Sequence, residues 1–497
     1  MTFLTASLLA WQSLPAANGV FLPPQERDVT ARFELPPPAP GEADWEVTLA
    51  ASFPQLANPT NLDIDAAGRA WVTEALRYRG IPERDPAALR RERGDRVVIL
   101  TDRDGDGGYD ESKVFVEDPD LLAPLGIAVL GPPGGPREVY VSCSPAIYCY
   151  IDADGDDVPE RRELFLGGFG GRDHDHGVHA VVQGPDGALW LNAGNQGPHA
   201  VTDPGGRLLL RAGSFVDGGA AGERDVQSFI GGLALRFDRE SGALACVGHN
   251  FRNCYEIAVD SFGDVWQNDN DDDGNQGCRI AWVMPGANQG YASADGRRSW
   301  QADRRPGQAT PVAHWHQDDP GVAPSGAITG AGGPTGIVRH EGRELGAAFD
   351  GALFSCDAGR SLIWSCVPQP AGAGFALAPK PFLAPKADDP ERSLFRPSDV
   401  AIDHDGSLLI ADWWDPMVGG HGMLDRQGGG RLLRVRRKGA ASAPRFAPPD
   451  LARPEGAFAA LDSPVVHVRA AAYDALTRAP LAAALDVAAV GRAIEAL

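Results

Sequence analysis

The sequence predicts an all-β fold, and three observations lead to this prediction. Glycine and proline, which favour turns, occur 61 and 41 times among 497 residues. Apolar residues alternate with polar residues in many short runs, which is the period of a strand with one buried face. These runs occur in pairs separated by a glycine-containing turn, as in a β-hairpin. The chain is therefore expected to form many short strands joined by turns.

The hairpin pattern recurs along the chain, and each copy ends in polar residues. The copies lie at 61–74, 126–143, 179–194, 256–269, 345–359 and 399–413. One hairpin in each unit of an all-β repeat predicts a six-bladed β-propeller. The uneven spacing of the copies predicts long insertions, which commonly form a binding face in such folds.

The predicted propeller spans residues 45–440, and other segments flank it. Residues 1–18 are apolar and end in small residues, as a signal peptide does, which predicts a periplasmic or secreted protein. Residues 19–44 are proline-rich and predict an extended linker. A second linker is predicted at 441–460. The Ala-rich segment 461–497 has the periodicity of HEAT-like helices and predicts a short α-helical tail.

Charge argues against one class of partner, and hydropathy argues against a membrane-spanning segment. The formal net charge is −22 at pH 7, and so acidic a surface repels phosphate backbones, which argues against nucleic acid. No apolar run reaches the length of a membrane-spanning helix, so no transmembrane segment is expected. Seven cysteines leave at least one unpaired, and pairing of Cys143 with Cys149, or of Cys356 with Cys366, stays open.

Two acidic loops have carboxylates in alternation with glycine and other residues. The first loop, at 102–110, contains four of them: Asp102, Asp104, Asp106 and Asp110. The second is a weaker copy that contains Asp152, Asp154, Asp156 and Glu160. Hard oxygen ligands in this pattern match the start of a calcium-binding loop, which predicts structural calcium. The alternative is an Asp/Gly turn without metal.

A third acidic run, at 269–273, directly follows the fourth hairpin. Its oxygen ligands suit calcium, and the ordered strands predicted on both sides favour a metal site over a solvated loop. The expected ligands in this run are Asp269, Asp271 and Asp272. The pair Arg252–Asn253 precedes the same hairpin.

Three of the 11 histidines lie in the segment DHDHGVH at 173–179. A neighbouring carboxylate raises the basicity of an imidazole and orients its ring, as a general base requires. Two of these histidines could instead ligate a transition metal, and a polar loop without a function is a further interpretation. A second pair of histidines, in HWHQDDPG at 314–321, is weaker support for a site.

These motifs resemble those of a known family. The segments GPDGALWLNAGNQG (184–197), GHNFRN (248–253) and GANQGY (286–291) resemble those of the soluble quinoprotein glucose and aldose sugar dehydrogenases. Those enzymes are six-bladed propellers that use pyrroloquinoline quinone (PQQ) and calcium. The phrases HNFRN, DNDDDGN, ADWWDP and VGGHG resemble still more closely the propeller module of a bacterial family described as membrane-bound dehydrogenases. The resemblance covers residues 45–440.

The resemblance implies a role for each matched residue. His176 would be the catalytic base, which takes the proton of a sugar hydroxyl while hydride passes to the quinone. Arg252, Asn253 and Arg396 would bind PQQ, whose carboxylates suit arginine. The run that begins at Asp269 would bind the active-site calcium, a Lewis acid for the quinone carbonyl.

The sequence departs from the family at two of these places. Asn195 stands where the family has an aspartate that supports the histidine, and Ser398 replaces a second arginine. The implied partners are a small-molecule sugar or alcohol and an external electron acceptor such as a cytochrome c. An external acceptor is expected because the 497 residues contain no CxxCH haem motif.

Two other functions stay open on the same fold. The first is a calcium-dependent lactonase, hydrolase or lyase acting on carbohydrate, with Glu74, Asp269 and Asp271 as metal ligands and His176 or His179 as base. The second is a non-catalytic binding module with purely structural calcium. The second predicts that the polar ends of the hairpins share no pocket.

Overall fold

The structure is a computed structural model that describes most of the chain. The described residues are 19–20, 27–76, 94–131, 135–170, 176–213, 228–270, 276–293, 304–417, 429–440, 451, 453–463 and 466–477. They are mostly β-sheet with few helices, which confirms the predicted all-β class. No helix in this part of the chain is long and apolar enough to span a membrane. The predicted signal peptide, residues 1–18, lies outside the described residues.

The strands and helices follow one another along the chain in a regular succession of short elements. The first strands are β1 (Gly19–Val20), β2 (Phe33–Glu34), β3 (Trp45–Ser52), β4 (Pro59–Ile64), β5 (Ala70–Glu74), β6 (Asp95–Thr101), β7 (Glu111–Asp118), β8 (Gly126–Leu130), β9 (Arg137–Cys143), β10 (Ala146–Asp152) and β11 (Arg161–Leu166). The next are β12 (Val178–Gln183), β13 (Leu189–Ala193), β14 (His199–Thr202), β15 (Leu208–Gly213), β16 (Ser228–Ile230), β17 (Leu233–Asp238), β18 (Ala243–His249), β19 (Ile257–Val259), β20 (Val265–Asp269), β21 (Cys278–Trp282) and β22 (Ala287–Asn288). The last are β23 (Ala327–Gly330), β24 (Pro334–Arg339), β25 (Leu353–Asp357), β26 (Leu362–Cys366), β27 (Gln369–Ala371), β28 (Gly374–Ala376), β29 (Lys380–Pro385), β30 (Pro397–Ile402), β31 (Leu408–Asp412) and β32 (Arg431–Arg437). The helices are α1 (Thr310–His314), α2 (Pro454–Ala460) and α3 (Val466–Thr477).

A four-stranded antiparallel unit recurs six times within the described residues. Sheet 1 contains β4–β7 and sheet 2 contains β8–β11, while sheet 3 contains β12, β13, β17 and β18. Sheet 4 contains β19, β20, β21 and β23, and sheet 5 contains β24, β25, β26 and β29. Sheet 6 contains β30, β31, β32 and β3. Because β3 pairs with β32, an early strand completes the last sheet.

The hydrophobic core is divided between neighbouring sheets. One cluster of buried apolar residues lies between each sheet and the next, and a further cluster lies between sheets 6 and 1. The period-two alternation of the strands produces this arrangement, since each sheet buries both faces against its neighbours. Burial of apolar area between sheets is therefore the main force that holds them side by side.

The first strands of the sheets also contact one another in order, and β30 contacts β4. Near the beginnings of these strands, hydrogen bonds join each sheet to the next. The bonded pairs are Thr60–Pro124, Ser142–His179, Asn195–Arg252, Asn268–Thr335, Thr335–Pro397 and Ser398–Pro59. A cavity of about 110 Å³ is lined by residues of all six first strands. The sheets are thus arranged about a common axis.

Five of the six predicted hairpins are confirmed, as β4–β5, β8–β9, β12–β13, β19–β20 and β30–β31. The hairpin predicted at 345–359 is wrong. Ala347–Phe349 forms a 3-10 turn, and β25 pairs with the earlier strand β24. Asp350–Gly351 has the composition of a hairpin turn, but it lies at the end of the connection between these two strands.

The segments that flank the sheets lie against them. β2 pairs with β29, and Phe33 is buried in the core between sheets 5 and 6, so the predicted linker at 19–44 packs on the fold. Helix α2 begins within the predicted linker at 441–460. Val466 and Arg469 of α3 line the axial cavity, and Arg469 Nη2 donates to Glu341 Oε2 at 2.7 Å. Helix α3 therefore covers the end of the axis where the first strands finish.

Candidate functional site

The predicted site residues lie at the end of the molecule where the first strands of the sheets begin. His176 precedes β12, Arg252 and Asn253 precede β19, and Arg396 directly precedes β30. Asn195 follows β13, the second strand of sheet 3. This end is opposite to the one covered by α3. The structure brings four of these five residues together, and Arg396 has a different environment.

His176 and Asn195 form a hydrogen bond that fixes the tautomer of the neutral imidazole. His176 Nδ1 lies 2.7 Å from Asn195 Oδ1. An amide oxygen only accepts, so Nδ1 carries a proton, and in the neutral imidazole the lone pair is then on Nε2. Nε2 can therefore act as a general base. Asn195 N donates to Arg252 O at 2.7 Å, which ties the histidine to the Arg-Asn pair.

Gly194 allows these residues to approach one another. A Cβ at this position would lie 2.7 Å from His176 Cα and 2.8 Å from Asn253 Oδ1. Such distances are too short for any side chain, so glycine is required here for close backbone approach. The sequence signal for this role was present in NAGNQG, but nothing in the sequence alone indicated which two segments the glycine separates.

The Arg252–Asn253 pair lies beside the end of β20. Arg252 Nη1 donates to Asn270 O at 3.1 Å, and Asn270 N donates to Asn253 O at 3.1 Å. Asn253 Oδ1 is buried and has no hydrogen-bond partner among the described residues. A buried amide oxygen without a partner is costly, and its position beside His176 suits a donor from a bound molecule.

Asp269, which ends β20, holds the Arg-Asn pair through the backbone. Its Oδ1 accepts from Arg252 N at 3.1 Å and from Asn253 N at 2.8 Å. Its Oδ2 accepts from Arg279 Nη2 at 2.9 Å, and both side chains are fully buried. Burial raises the pKa of Asp269, and Arg279 and the backbone donors oppose this shift.

The same arrangement occurs at the end of the second strand in two other sheets. Glu74 accepts from Ala57 N and pairs with Arg96 on the next strand. Asp412 accepts from the N–H of Arg396 and pairs with Arg431 at 2.8 Å. A feature repeated in three sheets is part of the fold. This geometry therefore favours a positioning role for Asp269 over its predicted role as a calcium ligand. Asp271 and Asp272 lie outside the described residues, and their calcium role stays a prediction.

The guanidinium of Arg396 makes its hydrogen bonds within the protein. It donates to three carbonyl oxygens and one hydroxyl, those of Ala358, Asp415, Pro416 and Ser361. Burial lowers its pKa, which Asp412 and Asp415 oppose. A guanidinium that joins two loops in this way does not present its fork to a cofactor carboxylate. The geometry thus favours a structural role over the predicted PQQ contact.

The residues of the hydrolase alternative have structural partners as well. Glu74 is paired with Arg96, as described above. His179 Nδ1 lies 2.5 Å from Cys254 O, and its ring is buried beside Tyr255. Ser398 Oγ donates to Pro59 O at 2.7 Å. None of the seven cysteines forms a disulfide in the described part of the chain.

The acidic loops lie at the opposite end of the molecule from His176. They connect the third and fourth strands of sheets 1 and 2, and strand direction places these connections where the first strands end. The carboxylates of Asp102, Asp104 and Asp106 lie together, whereas Asp110 lies outside that group. In the second loop all four acidic residues lie together: Asp152, Asp154, Asp156 and Glu160. The second loop is thus the fuller ligand set, although its sequence pattern is weaker.

A buried polar cluster on the axis was missed by the sequence analysis. Asn61 Nδ2 donates to Glu256 Oε1 at 3.1 Å and to Asp399 Oδ2 at 2.7 Å. Burial, followed by the neighbouring Asp399, raises the pKa of Glu256 well above its ordinary value. Burial also raises the pKa of Asp399 to about 6. Through Asn61 these two buried carboxyl groups link sheets 1, 4 and 6, and this link has no signal in local sequence.

Replacing Glu256 by glutamine is expected to flatten the pH dependence of stability. Because folding raises the pKa of Glu256, its stabilising contribution is complete below pH 4.5 and is lost as pH rises through the folded pKa. Glutamine stays neutral and can still donate to Asp399. Its amide nitrogen is not an acceptor, so it cannot accept both hydrogen bonds that Glu256 receives from Asn61 and Ile337 N, and this loss offsets stability at every pH but does not change its slope. We expect the free energy of unfolding of the variant, measured in urea, to fall less than that of the wild type between pH 5 and pH 8. The exposed control Glu163→Gln should keep the wild-type slope, and an equal slope for both variants would contradict the raised pKa of Glu256.

The described sheets and residues define a propeller-like protein with a polar site at one end of its axis. The chain belongs to the family described as "Domain of unknown function (DUF7133)", which matches residues 41–438. No curated protein matches the sequence.

Solved structures with a similar fold include PQQ-dependent sugar dehydrogenases. The holo form of the pyranose dehydrogenase PQQ domain from Coprinopsis cinerea is 14% identical, with a TM-score of 0.52 over 84% of this chain and 100% of that chain. An oxidoreductase (glucose dehydrogenase) from Thermus thermophilus is 16% identical, with a TM-score of 0.49 over 79% and 100%. The PQQ-bound aldose sugar dehydrogenase from Streptomyces coelicolor is 16% identical, with a TM-score of 0.46 over 81% and 99%. The predicted resemblance to this group is confirmed at the level of the fold.

Proposed function

We propose that this protein is an oxidoreductase of the PQQ- and calcium-dependent sugar dehydrogenase type, which oxidises a hydroxyl group of a sugar or other alcohol. The observation that carries the proposal is the His176–Asn195 hydrogen bond beside Arg252 and Asn253. It supports a general base whose segment is hydrogen-bonded to the Arg252 backbone and lies beside the buried amide oxygen of Asn253. Such a group of residues at one end of a propeller axis suits proton abstraction from a bound alcohol.

The proposed scaffold is a six-bladed β-propeller followed by a HEAT-like helical tail. The six four-stranded sheets, the apolar cluster between each neighbouring pair and the hydrogen bonds from sheet 6 to sheet 1 support this architecture. Completion of sheet 6 by β3 would close the propeller. The packing of α2 against α3 supports a helical tail.

The proposed reaction assigns a task to each residue of the site. His176 Nε2 accepts the proton of the substrate hydroxyl as hydride leaves the adjacent carbon. Asn195 keeps the imidazole oriented through Nδ1–H, although an amide stabilises the resulting imidazolium less than a carboxylate would. Bound PQQ supplies the two-electron acceptor, and calcium supplies Lewis-acid polarisation.

The fit of PQQ rests on Arg252 and Asn253. The Arg252 cation suits a carboxylate, and the partnerless Asn253 Oδ1 of the described structure suits a donor of the bound molecule or the metal. Arg396 does not fit, because its guanidinium is engaged by loop carbonyls. We therefore propose that Arg252 is the main carboxylate contact. The proposed location is periplasmic or secreted, with an external electron acceptor such as a cytochrome c.

The other two functions receive less support. Of the proposed metal ligands of a lactonase or hydrolase, Glu74 and Asp269 are held by Arg96 and Arg279. If the protein were a purely non-catalytic module, the polar ends of the hairpins would be expected to face different ways. The convergence of the His176 and Arg252 segments argues against that expectation.

Dye-linked oxidation of aldoses tests the proposed function. The purified chain is loaded with PQQ in calcium buffer, and reduction of an electron-accepting dye is followed with a panel of aldoses and simple alcohols. Turnover that requires both PQQ and substrate is expected. Absence of turnover across the panel by protein that has bound PQQ would contradict the assignment as a sugar or alcohol dehydrogenase.

A further inference from the structure

The connection between β22 and β23 contains a buried aromatic residue that the proposed reaction does not use. Trp315 directly follows α1 in the described segment 304–326 and is fully buried. Its Nε1 donates to Gly277 O at 2.8 Å. The guanidinium carbon of Arg279 lies 3.4 Å from the centre of the indole ring. This close stacking is a buried cation–π contact, which fixes the plane of the guanidinium.

One carboxylate, that of Asp269, connects the stacked guanidinium of Arg279 to the candidate site. Arg279 Nη2 donates to Asp269 Oδ2 at 2.9 Å. Asp269 Oδ1 then accepts from the backbone N–H of Arg252 and Asn253, at 3.1 and 2.8 Å. A shift of Arg279 therefore moves the acceptor of both amides. Trp315, Arg279 and Asp269 are all fully buried, so solvent cannot replace a lost partner without cost.

A second set of contacts involves the segment 289–291, which lies between Trp315 and the region of the Arg-Asn pair. Arg279 Nη1 donates to Gln289 O at 3.0 Å, and Tyr291 N donates to Asn250 O at 2.9 Å. Gly290 has φ of 80°, and any Cβ there would collide with Trp315 O. A glycine is needed at position 290 so that the Trp315 backbone can approach this segment, which is hydrogen-bonded through Tyr291 to the connection that contains the Arg-Asn pair.

We infer that Trp315 is a positioning residue for Arg252 and Asn253 and acts through Arg279 and Asp269. The inference rests on the proposed function in that the positioned pair is the PQQ contact. It gives the segment 304–326 a role in the site, although that segment supplies none of the proposed catalytic residues. A Trp315 that only fills the core would affect stability without affecting the geometry of residues 252–253.

The chain offers a matched control for this distinction. In sheet 6 the guanidinium carbon of Arg437 lies 3.6 Å from the centre of the buried Trp45 ring. Trp45 Nε1 also donates to a backbone carbonyl, that of Pro36. This pair has the same chemistry as Trp315 and Arg279, but it belongs to the core between sheets 5 and 6 and not to the candidate site.

The experiment compares Trp315→Phe with Trp45→Phe in the full chain. Phenylalanine keeps an aromatic ring but loses the indole N–H and much of the cation–π attraction. Two quantities are measured: amide hydrogen exchange of the peptide that contains residues 252–253, and the Kd of PQQ in calcium buffer. We expect Trp315→Phe to raise the exchange rate of this peptide and the Kd of PQQ by about tenfold each. Trp45→Phe should change each by less than about twofold.

Equal effects of the two variants on exchange would overturn the inference. The exchange measurement needs no ligand, so it stays decisive even if the wild type does not bind PQQ, a result that would defeat only the proposed function. If Trp315→Phe does not fold, Arg279→Lys and Arg437→Lys are compared in the same way. Lysine keeps the charge beside Asp269 but loses the planar stacking. Unchanged exchange at residues 252–253 in Arg279→Lys would likewise overturn the inference.

Discussion

Replacing Asp269 by alanine is expected to lower the free energy of unfolding by about 3–5 kcal/mol. The change would leave the Arg279 guanidinium buried without its carboxylate. It would also remove the acceptor of the Arg252 and Asn253 amides. The first effect is large because the Arg279 side chain is fully buried. Urea unfolding at pH 7, followed by tryptophan fluorescence, measures the loss.

Two controls separate this role of Asp269 from calcium binding. The double variant Asp269→Ala/Arg279→Met removes the buried charge, so it should recover part of the lost stability. The wild type and Asp269→Ala are also unfolded with and without a chelator. If Asp269 were mainly a calcium ligand, the difference in stability between the wild type and Asp269→Ala would disappear in the presence of the chelator. That outcome, or a loss below about 1 kcal/mol in Asp269→Ala, would refute the structural role.

Replacing His176 by alanine is expected to lower kcat by about 10²–10⁴-fold, which is the usual contribution of a general base. The affinity for PQQ should change little, since the predicted PQQ contacts are Arg252 and Asn253. Steady-state dye reduction with the best aldose measures kcat, and a PQQ titration of the same variant measures affinity.

His404→Gln is a suitable control for this experiment. His404 Nε2 lies 3.0 Å from Asp65 O at the opposite end of the molecule, so glutamine should leave kcat unchanged. A kcat within about threefold of the wild type in His176→Ala would remove the histidine from the mechanism.

Much of the fold could be predicted from the sequence because its signals are local. Period-two alternation around a glycine turn predicted five hairpins correctly. The prediction failed at residues 345–359, where Asp350–Gly351 has the composition of a hairpin turn but no first strand precedes it. The pairing of β3 with β32 was also missed, since no local signal connects strands so far apart in sequence.

The candidate site was predictable only in part. The resemblance grouped His176 with Asn195 and with the Arg252–Asn253 pair, and these residues lie together in the structure. It did not predict that Arg396 donates to loop carbonyls, because hydrogen bonds to the backbone depend on loop conformation. The sequence did contain a signal for the role of Asp269, namely an acidic residue at the end of a second strand and an arginine on the next strand. That signal becomes visible only when the sheets are compared with one another.

The central claim is that the His176 and Arg252 segments form one cofactor site, and a PQQ titration tests it most directly. Apo-protein in calcium buffer is titrated while the quinone absorption is followed, for the wild type, Arg252→Ala and the control Arg236→Ala, whose arginine lies on the third strand of sheet 3 beside Asp186. We predict saturable binding by the wild type and by Arg236→Ala, and binding at least about tenfold weaker by Arg252→Ala. Absence of wild-type binding at high micromolar PQQ, or equal affinity of all three proteins, would contradict the account.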